Sequence, residues 1–482
     1  MILKSKKMKK LKSISVVAFV LLLFLQSIDA KVILPAIVSS NMVLQRNTTV
    51  VLWGWADANE RIAIKPSWRD QELTLEANKE GNWRIEVKTT SSKEPQTIKI
   101  TSTASDITLE NVLFGEVWLC SGQSNMEQPM KGFYAQPTFH SNSAIANSNN
   151  SNLRLFTIQK NGAKSPLNDI EKYTPWQDAS PETVADFSAV GYFFARQLQE
   201  ILDVPVGIIH SSWGGSFVEA WMSKEVLREY QEIDIEEADL ENSRNVQTAL
   251  FNGMINPLIP FKIKGVLWYQ GESNRHEPNQ YKELFPAMVK DWRSRWDIGD
   301  FPFYYTQIAP FNYGNGNSSY FREAQLQCLE LIPNSGIAIT LDIGREYFIH
   351  PPQKKEVADR LLYNALNQTY NYKTVDYAGP LYKSQKVEDG GIMLNFENIE
   401  TGLFYSELDG FEIAGEDEIF YPAEAKISEG KYVFVKNENV LNPIAVRYAW
   451  KNWVKGTLFD INMLPASSFR TDNWEDATPI EK

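Results

Sequence analysis

The chain has 482 residues, 43% of them apolar and 22% charged, with a formal net charge of −12. That length exceeds one ordinary core and implies two or three domains of a soluble globular protein. The acidic balance argues against nucleic acid and other polyanions as partners, because like charge repels them.

Residues 1–30 read as a targeting segment. Lys4, Lys6, Lys7, Lys9, Lys10 and Lys12 precede an apolar run from Val16 to Leu25, and Gln26-Ser27-Ile28-Asp29-Ala30 follows. This order predicts a secretory signal peptide cut after Ala30. The run is short for a bilayer span, so a retained membrane anchor is the weaker alternative. No Cys follows it, which argues against a lipoprotein anchor. Cleavage would remove six Lys and one Asp and take the net charge from −12 to −17. A secreted, periplasmic protein free of the membrane is expected.

Residues 31–110 carry short alternating strands, at Thr49–Ala56, Asn82–Val87 and Gln96–Ile100, which predict a small N-terminal β-sandwich. From 111 to 375 apolar strands alternate with helical stretches, which predicts an α/β domain: a doubly wound, mostly parallel sheet with helices on both faces. Its strands are expected at Val117–Cys120, Val206–His210, Gly265–Tyr269, Phe303–Ile308 and Ile337–Leu341. Its helices are expected near Ala189–Leu202, Gln280–Trp296, Tyr320–Leu331 and Gln353–Tyr370. The weakly patterned stretch Phe133–Ala185 reads as loop. From 376 to 482 strands return, at Gly391–Phe396 and Lys431–Val435, as a C-terminal β-domain. The abundant aromatic residues are read mainly as core.

In an open parallel sheet, ligands sit beyond the carboxyl ends of the strands. Those ends read Gly122-Gln123-Ser124-Asn125, then His210-Ser211-Ser212-Trp213-Gly214-Gly215, then Gln270-Gly271-Glu272-Ser273-Asn274, then Asp342-Ile343-Gly344 with His350-Pro351 beyond. Small, polar and titratable residues thus converge on one edge. A serine there can be a nucleophile surrounded by backbone donors. The alternative is a helix N-cap, since Ser124 and Glu127 have capping-box spacing. The only two cysteines, Cys120 and Cys328, permit no disulfide framework and read as buried thiols. No zinc-ligand spacing and no phosphate-cradling glycine loop is present, so neither metal nor cofactor is expected.

Eight segments together resemble the sialate O-acetylesterase family of SGNH-like carbohydrate esterases: Asn41–Arg46, Ser121–Met126, Trp213–Gly215 with Glu219–Trp221, Trp268–Asn274, Ile349–Pro351, and Arg447–Trp450 with Leu464–Asp472. Gly122-Gln123-Ser124-Asn125-Met126 lacks the second glycine of the α/β-hydrolase elbow. The resemblance implies an SGNH-like catalytic domain with Ser124 as nucleophile and His350 as general base. His210, at a strand end, is the competing base. The acidic member stays open: the positions where many relatives carry Asp hold Tyr347 and Phe348. Asp342 is preferred over Glu346, a backbone carbonyl, or a simple dyad. The oxyanion donors would be the Ser124 N–H, a backbone N–H at Gly214 or Gly215, and the Gln270 amide. Gln123, Asn125, Glu272 and Arg322 are expected near the substrate, with a buried Glu272–Arg322 ion pair as the alternative for the last two. The implied reaction is removal of O-acetyl groups from sialic acid. Acetyl xylan is the rival substrate, and a non-catalytic glycan-binding protein is the rival class. An O-acetylated sugar is the expected partner, and no obligate protein partner is inferred.

Overall fold

The computed structural model describes residues 31–233, 235 and 240–474. The expected signal segment, residues 1–30, lies outside them. Contacts divide the chain into two compact units.

Among the described residues, the smaller unit comprises 31–34, 53–85 and 97–108. In it Arg61–Pro66 pairs antiparallel with Leu73–Glu76 and with Gln96–Thr101. Ile62, Ile64, Ile98 and Ile100 alternate with exposed or half-buried neighbours and are fully buried. That is the period of a strand with one wet face.

The larger unit takes 35–52, 86–96 and the described residues from Leu109 onward. Its centre is a sheet of β1 (Asp106–Gly122), β2 (Asn150–Ile158), β3 (Tyr173–Ala179), β4 (Val206–Ser212), β5 (Gly265–Tyr269), β6 (Phe303–Thr306) and β7 (Ser335–Ala338), in the order β7-β6-β5-β1-β4-β2-β3. All pairings along it are parallel except β2 with β3. β4 and β5 are buried at every residue, as parallel strands covered on both faces must be. Five helices bear on the site: α1 (Ser124–Glu127), α2 (Ala189–Leu202), α3 (Pro278–Trp296), α4 (Ser319–Leu331) and α5 (Lys354–Asn364). Leu267 and Tyr269 of β5 share a core with Phe194 and Leu198 of α2 and Leu361 of α5. Trp268, between them, packs against Phe285 and Trp292 of α3. Alternate residues of one strand therefore meet helices on opposite faces, and the sheet is doubly wound.

The stretch expected as loop, 133–185, holds β2 and β3 and two short helices, Ser141–Ala146 and Pro181–Ala185. β3 is a mostly exposed edge strand with Pro175 inside it. Such a strand carries no apolar run to read. The last helix also stops earlier than expected, at Asn364, and continues as a π turn over Ala365–Thr369.

Beyond residue 376 two antiparallel sheets face each other. One joins Leu381–Glu388, Gly391–Glu397, Tyr432–Lys436 and Glu424–Ser428. The other joins Tyr421–Pro422, Phe411–Ala414, Ala445–Tyr448 and Phe469–Arg470. Leu394 and Val433 of the first share a core with Ile413 and Val446 of the second, which makes a sandwich.

Candidate active site

β1 is the point where the chain order of the sheet reverses, with β4 on one side and β5 on the other. The crevice of an open α/β sheet lies there. β1 ends at Gly122, whose φ is +130°. A Cβ on it would stand 2.2 Å from the Tyr269 carbonyl oxygen, so only glycine lets β1 run this close to β5. Gln123 donates its N–H to Tyr269 O (2.9 Å), and α1 begins at Ser124.

Ser124 is half-buried, and its Oγ lies 2.8 Å from His350 Nε2. It does not cap α1. The cap position is Gln123, without a side-chain bond, and the Glu127 N–H goes to Gln123 O. The Glu127 carboxylate instead accepts from the Gly214 N–H (2.6 Å) and pairs with Lys160 Nζ (2.6 Å).

His350 Nδ1 bonds Gln136 Oε1. An amide oxygen only accepts, so Nδ1 carries the proton and Nε2 keeps its lone pair toward Ser124. Phe133 packs on the same ring, centroid to centroid 5.4 Å. Burial, and after it the Lys354 ammonium, holds the imidazole down to about 4, so it is a neutral base at any pH well above that.

Asp342 is not at the ring. Both its oxygens are taken by Arg360, at 2.8 and 2.7 Å, because a bidentate guanidinium matches a carboxylate better than one imidazole N–H does. Gln136 fills the orienting position instead. His210 is not at Ser124 either: its Nε2 bonds Ser212 Oγ (2.5 Å) and its ring lies edge-on to Phe187. Gln136→Ala should lower kcat for ester hydrolysis by about 100-fold, the lower end of what a positioned base contributes. Gln136→Glu should keep the ring aligned and move the acid limb of the pH–rate profile upward, since an adjacent carboxylate favours the imidazolium. Kinetics of both variants across pH check this.

Of the expected oxyanion donors, the Ser124 N–H has no hydrogen-bond partner among the described residues. The Gly214 N–H is engaged by Glu127. Gln270 is fully buried and gives its amide hydrogens to Ser216 O (3.1 Å) and Asn274 Oδ1 (2.7 Å). It braces the turn after β5 rather than facing the nucleophile. Gly215 adopts φ +75° and continues the glycine turn beside Ser124.

The four residues expected at the substrate lie beneath the site. Gln123 is buried, and its Oε1 accepts from the Gly271 N–H at 3.2 Å. Asn125 is buried and three-way bonded: Nδ2 donates to Glu272 Oε1 (2.5 Å) and to Ile349 O (3.1 Å), and Oδ1 accepts from Lys354 Nζ (2.5 Å). Glu272 therefore faces Lys354 through Asn125, not Arg322. Burial pushes Glu272 up and Lys354 down to about 7. Arg322 is fully buried and donates to the hydroxyls of Ser318, Ser319 and Ser468 and to the carbonyls of Ala449 and Lys451. It locks α4 to the C-terminal segment. That explains the C-terminal motif, where Arg447 also grips Asp472 at 3.0 and 2.9 Å.

A pocket of about 440 Å³ opens beside the dyad, lined by Glu127, Phe133, Lys160, His210 and Ser212 among others. A larger concavity of about 630 Å³, along α3 and past the end of α4, shares no residue with the site. The sequence marks neither Gln136 nor Lys354 for the site, and it marks Glu127 only as a capping partner of Ser124. Gln136 sits in a polar loop 214 residues before its partner, and no local pattern marks it. Glu127 had a signal, its spacing from Ser124, that pointed to a cap.

Residues 114–350 match the family described as carbohydrate esterase, sialic acid-specific acetylesterase. The chain is 25% identical to the sialate O-acetylesterase of Mus musculus, over 86% of this chain and 89% of that protein. It is 26% identical to the one of Homo sapiens, over 86% and 87%. The crystal structure of a carbohydrate acetylesterase from Xanthomonas citri superposes with a TM-score of 0.84 at 33% identity, covering 92% of this chain and all of that one.

Proposed function

The chain belongs to the sialate O-acetylesterase family of carbohydrate esterases, and from that premise we propose that it is a secreted enzyme removing O-acetyl groups from sialic acid through a serine-bound acetyl intermediate. Membership makes it a carboxylic-ester hydrolase acting on acetylated sugar and sets aside a non-catalytic glycan-binding module.

The observation that carries the mechanism is the 2.8 Å contact between Ser124 Oγ and His350 Nε2 at the end of β1. Ser124 Oγ attacks the acetyl carbonyl carbon while Nε2 takes its proton. The Ser124 N–H faces the oxygen that becomes negative. The imidazolium then gives its proton to the departing sugar oxygen, leaving acetyl on Oγ. Water, deprotonated by the same nitrogen, attacks that ester, and acetate leaves as Ser124 regains its proton. Gln136 holds the ring in the tautomer both halves need. It carries no charge, so it orients the imidazolium without neutralising it.

Secretion is supported by the basic, apolar and small-residue order of residues 1–30. The substrate is tested by measuring acetate released by the purified protein from O-acetylated sialic acid and from acetylated xylan. Release from the sialic acid is the expected result. Release from xylan alone would overturn the substrate and leave the esterase standing.

A further inference from the structure

We infer that Arg244 recognises a carboxylate on the acetylated sugar and so selects acidic sugars over neutral ones. This rests on the esterase reading above and deepens it by naming the group through which the substrate is identified.

The argument starts at the glycine turn after β4. A Cβ on Gly214 would stand 3.1 Å from Ser124 Cβ, so this residue lies directly beside the nucleophile. One residue on, a Cβ on Gly215 would find the Arg244 guanidinium as its nearest neighbour, with Nη1 at 3.6 Å, Cζ at 3.7 Å and Nε at 3.8 Å. Three near-equal distances mean that the planar group lies over the glycine. With one Cα–Cα step of 3.8 Å between the two glycines, the guanidinium is within about 14 Å of the nucleophile. A sialic acid acetylated on its glycerol tail separates ester from carboxylate by on the order of 8–10 Å at about 1.5 Å per carbon–carbon bond. One such sugar can therefore reach both groups.

The other cations around the site have occupations. Lys160 pairs with Glu127, Lys354 is buried on Asn125, and Arg322 is buried on hydroxyls and carbonyls. Arg275 lies over the Tyr313 ring (4.5 Å) and donates to Glu272 O. Arg345 is exposed but sits over the Phe139 ring (6.0 Å). Arg244 is exposed, and no carboxylate among the described residues pairs with it. Its planar fork of donors is the side chain best matched to a carboxylate.

The experiment measures kcat/KM of the purified full chain on an O-acetylated sialic acid, on its methyl ester, on an acetylated uronic acid and on an acetylated neutral xylose. Wild type should prefer the free acid to its methyl ester. In Arg244→Gln that preference should shrink by about 10- to 100-fold, through KM, as expected for losing a hydrogen bond to a charged group. Arg244→Lys should restore part of it, and Arg345→Gln should keep the wild-type ratio. Equal loss on acid and methyl ester, or the loss appearing in Arg345→Gln instead, overturns the inference while the esterase stands. Wild-type activity on neutral sugar alone overturns both the inference and the sialate reading. A preference for the uronic acid that depends on Arg244 keeps the inference and overturns the sialate reading.

Discussion

Ser124→Ala should lose acetate release by about 10⁴- to 10⁶-fold in kcat, and His350→Ala should lose as much. A serine hydroxyl is a poor nucleophile until a base within hydrogen-bond reach accepts its proton, and the 2.8 Å contact to Nε2 supplies that base. The two groups act as a unit, so the double variant should be no worse than either single one. Folding is checked by thermal unfolding, where neither change should matter much: Ser124 and His350 are both half-buried and lie outside the sheet. What remains should be the modest catalysis of binding and the backbone donor at Ser124. Full activity in Ser124→Ala would remove the serine mechanism altogether. Activity lost in Ser124→Ala but kept in His350→Ala would require another base, and none is visible at Oγ among the described residues, since His210 is engaged with Ser212.

The parts of the fold that were legible are those where burial is complete. Gly265–Tyr269 is apolar and aromatic after its first glycine, and the strand has those limits. The helix Ala189–Leu202 was legible for the same reason: Phe193, Phe194 and Leu198 give it one apolar face. Edge elements were not. Tyr173–Ala179 buries only Trp176 and Ala179, so its sequence looks like that of any polar loop. The paired sheets near the C-terminus lie between these cases, with Ile392 and Leu394 alternating as a half-wet strand should.

In the site, a chain of small and polar residues at strand ends is a property of the main chain, and it pointed to Ser124. Where each side chain sends its hydrogen bonds is a property of packing, and local pattern does not contain it. Asp342 looked free at its strand end but meets Arg360 one helix later. Gln270 and Gly214 looked like oxyanion donors, yet Asn274 and Glu127 reach them first. Glu272 and Arg322 looked like a pair of opposite charges, but they bond to different parts of the unit. Gln136 could not be seen at all, because a single glutamine in a polar loop has no periodicity or spacing to mark it.

Lys354→Met should destabilise the protein by about 3–5 kcal/mol and should also move the acid limb of the pH–rate profile upward. Lys354 is fully buried, and Asn125 joins it to the buried carboxylate of Glu272. Removing the buried ammonium leaves the Asn125 Oδ1 acceptor and, through Asn125, the Glu272 carboxylate without the group that balances them, which is the costly kind of change in a buried charged network. Glu272→Gln on top of Lys354→Met should recover much of the loss, because a neutral amide can still receive the Asn125 hydrogen bond. The activity effect has its own sign. Catalysis needs a neutral His350, and burial first, then the Lys354 ammonium, holds its titration near 4. Lys354 titrates near 7, so it is charged throughout the range where His350 takes up its proton. Taking that charge away lowers the cost of the imidazolium, so the pKa rises and activity falls off at a higher pH than in wild type. Burial remains the larger cause, so the limb should stop short of 6.5, the ordinary histidine value. A limb that stays in place would detach Lys354 from the catalytic base. A limb that moves with no loss of thermal stability would mean that the Glu272 carboxylate had never needed its partner.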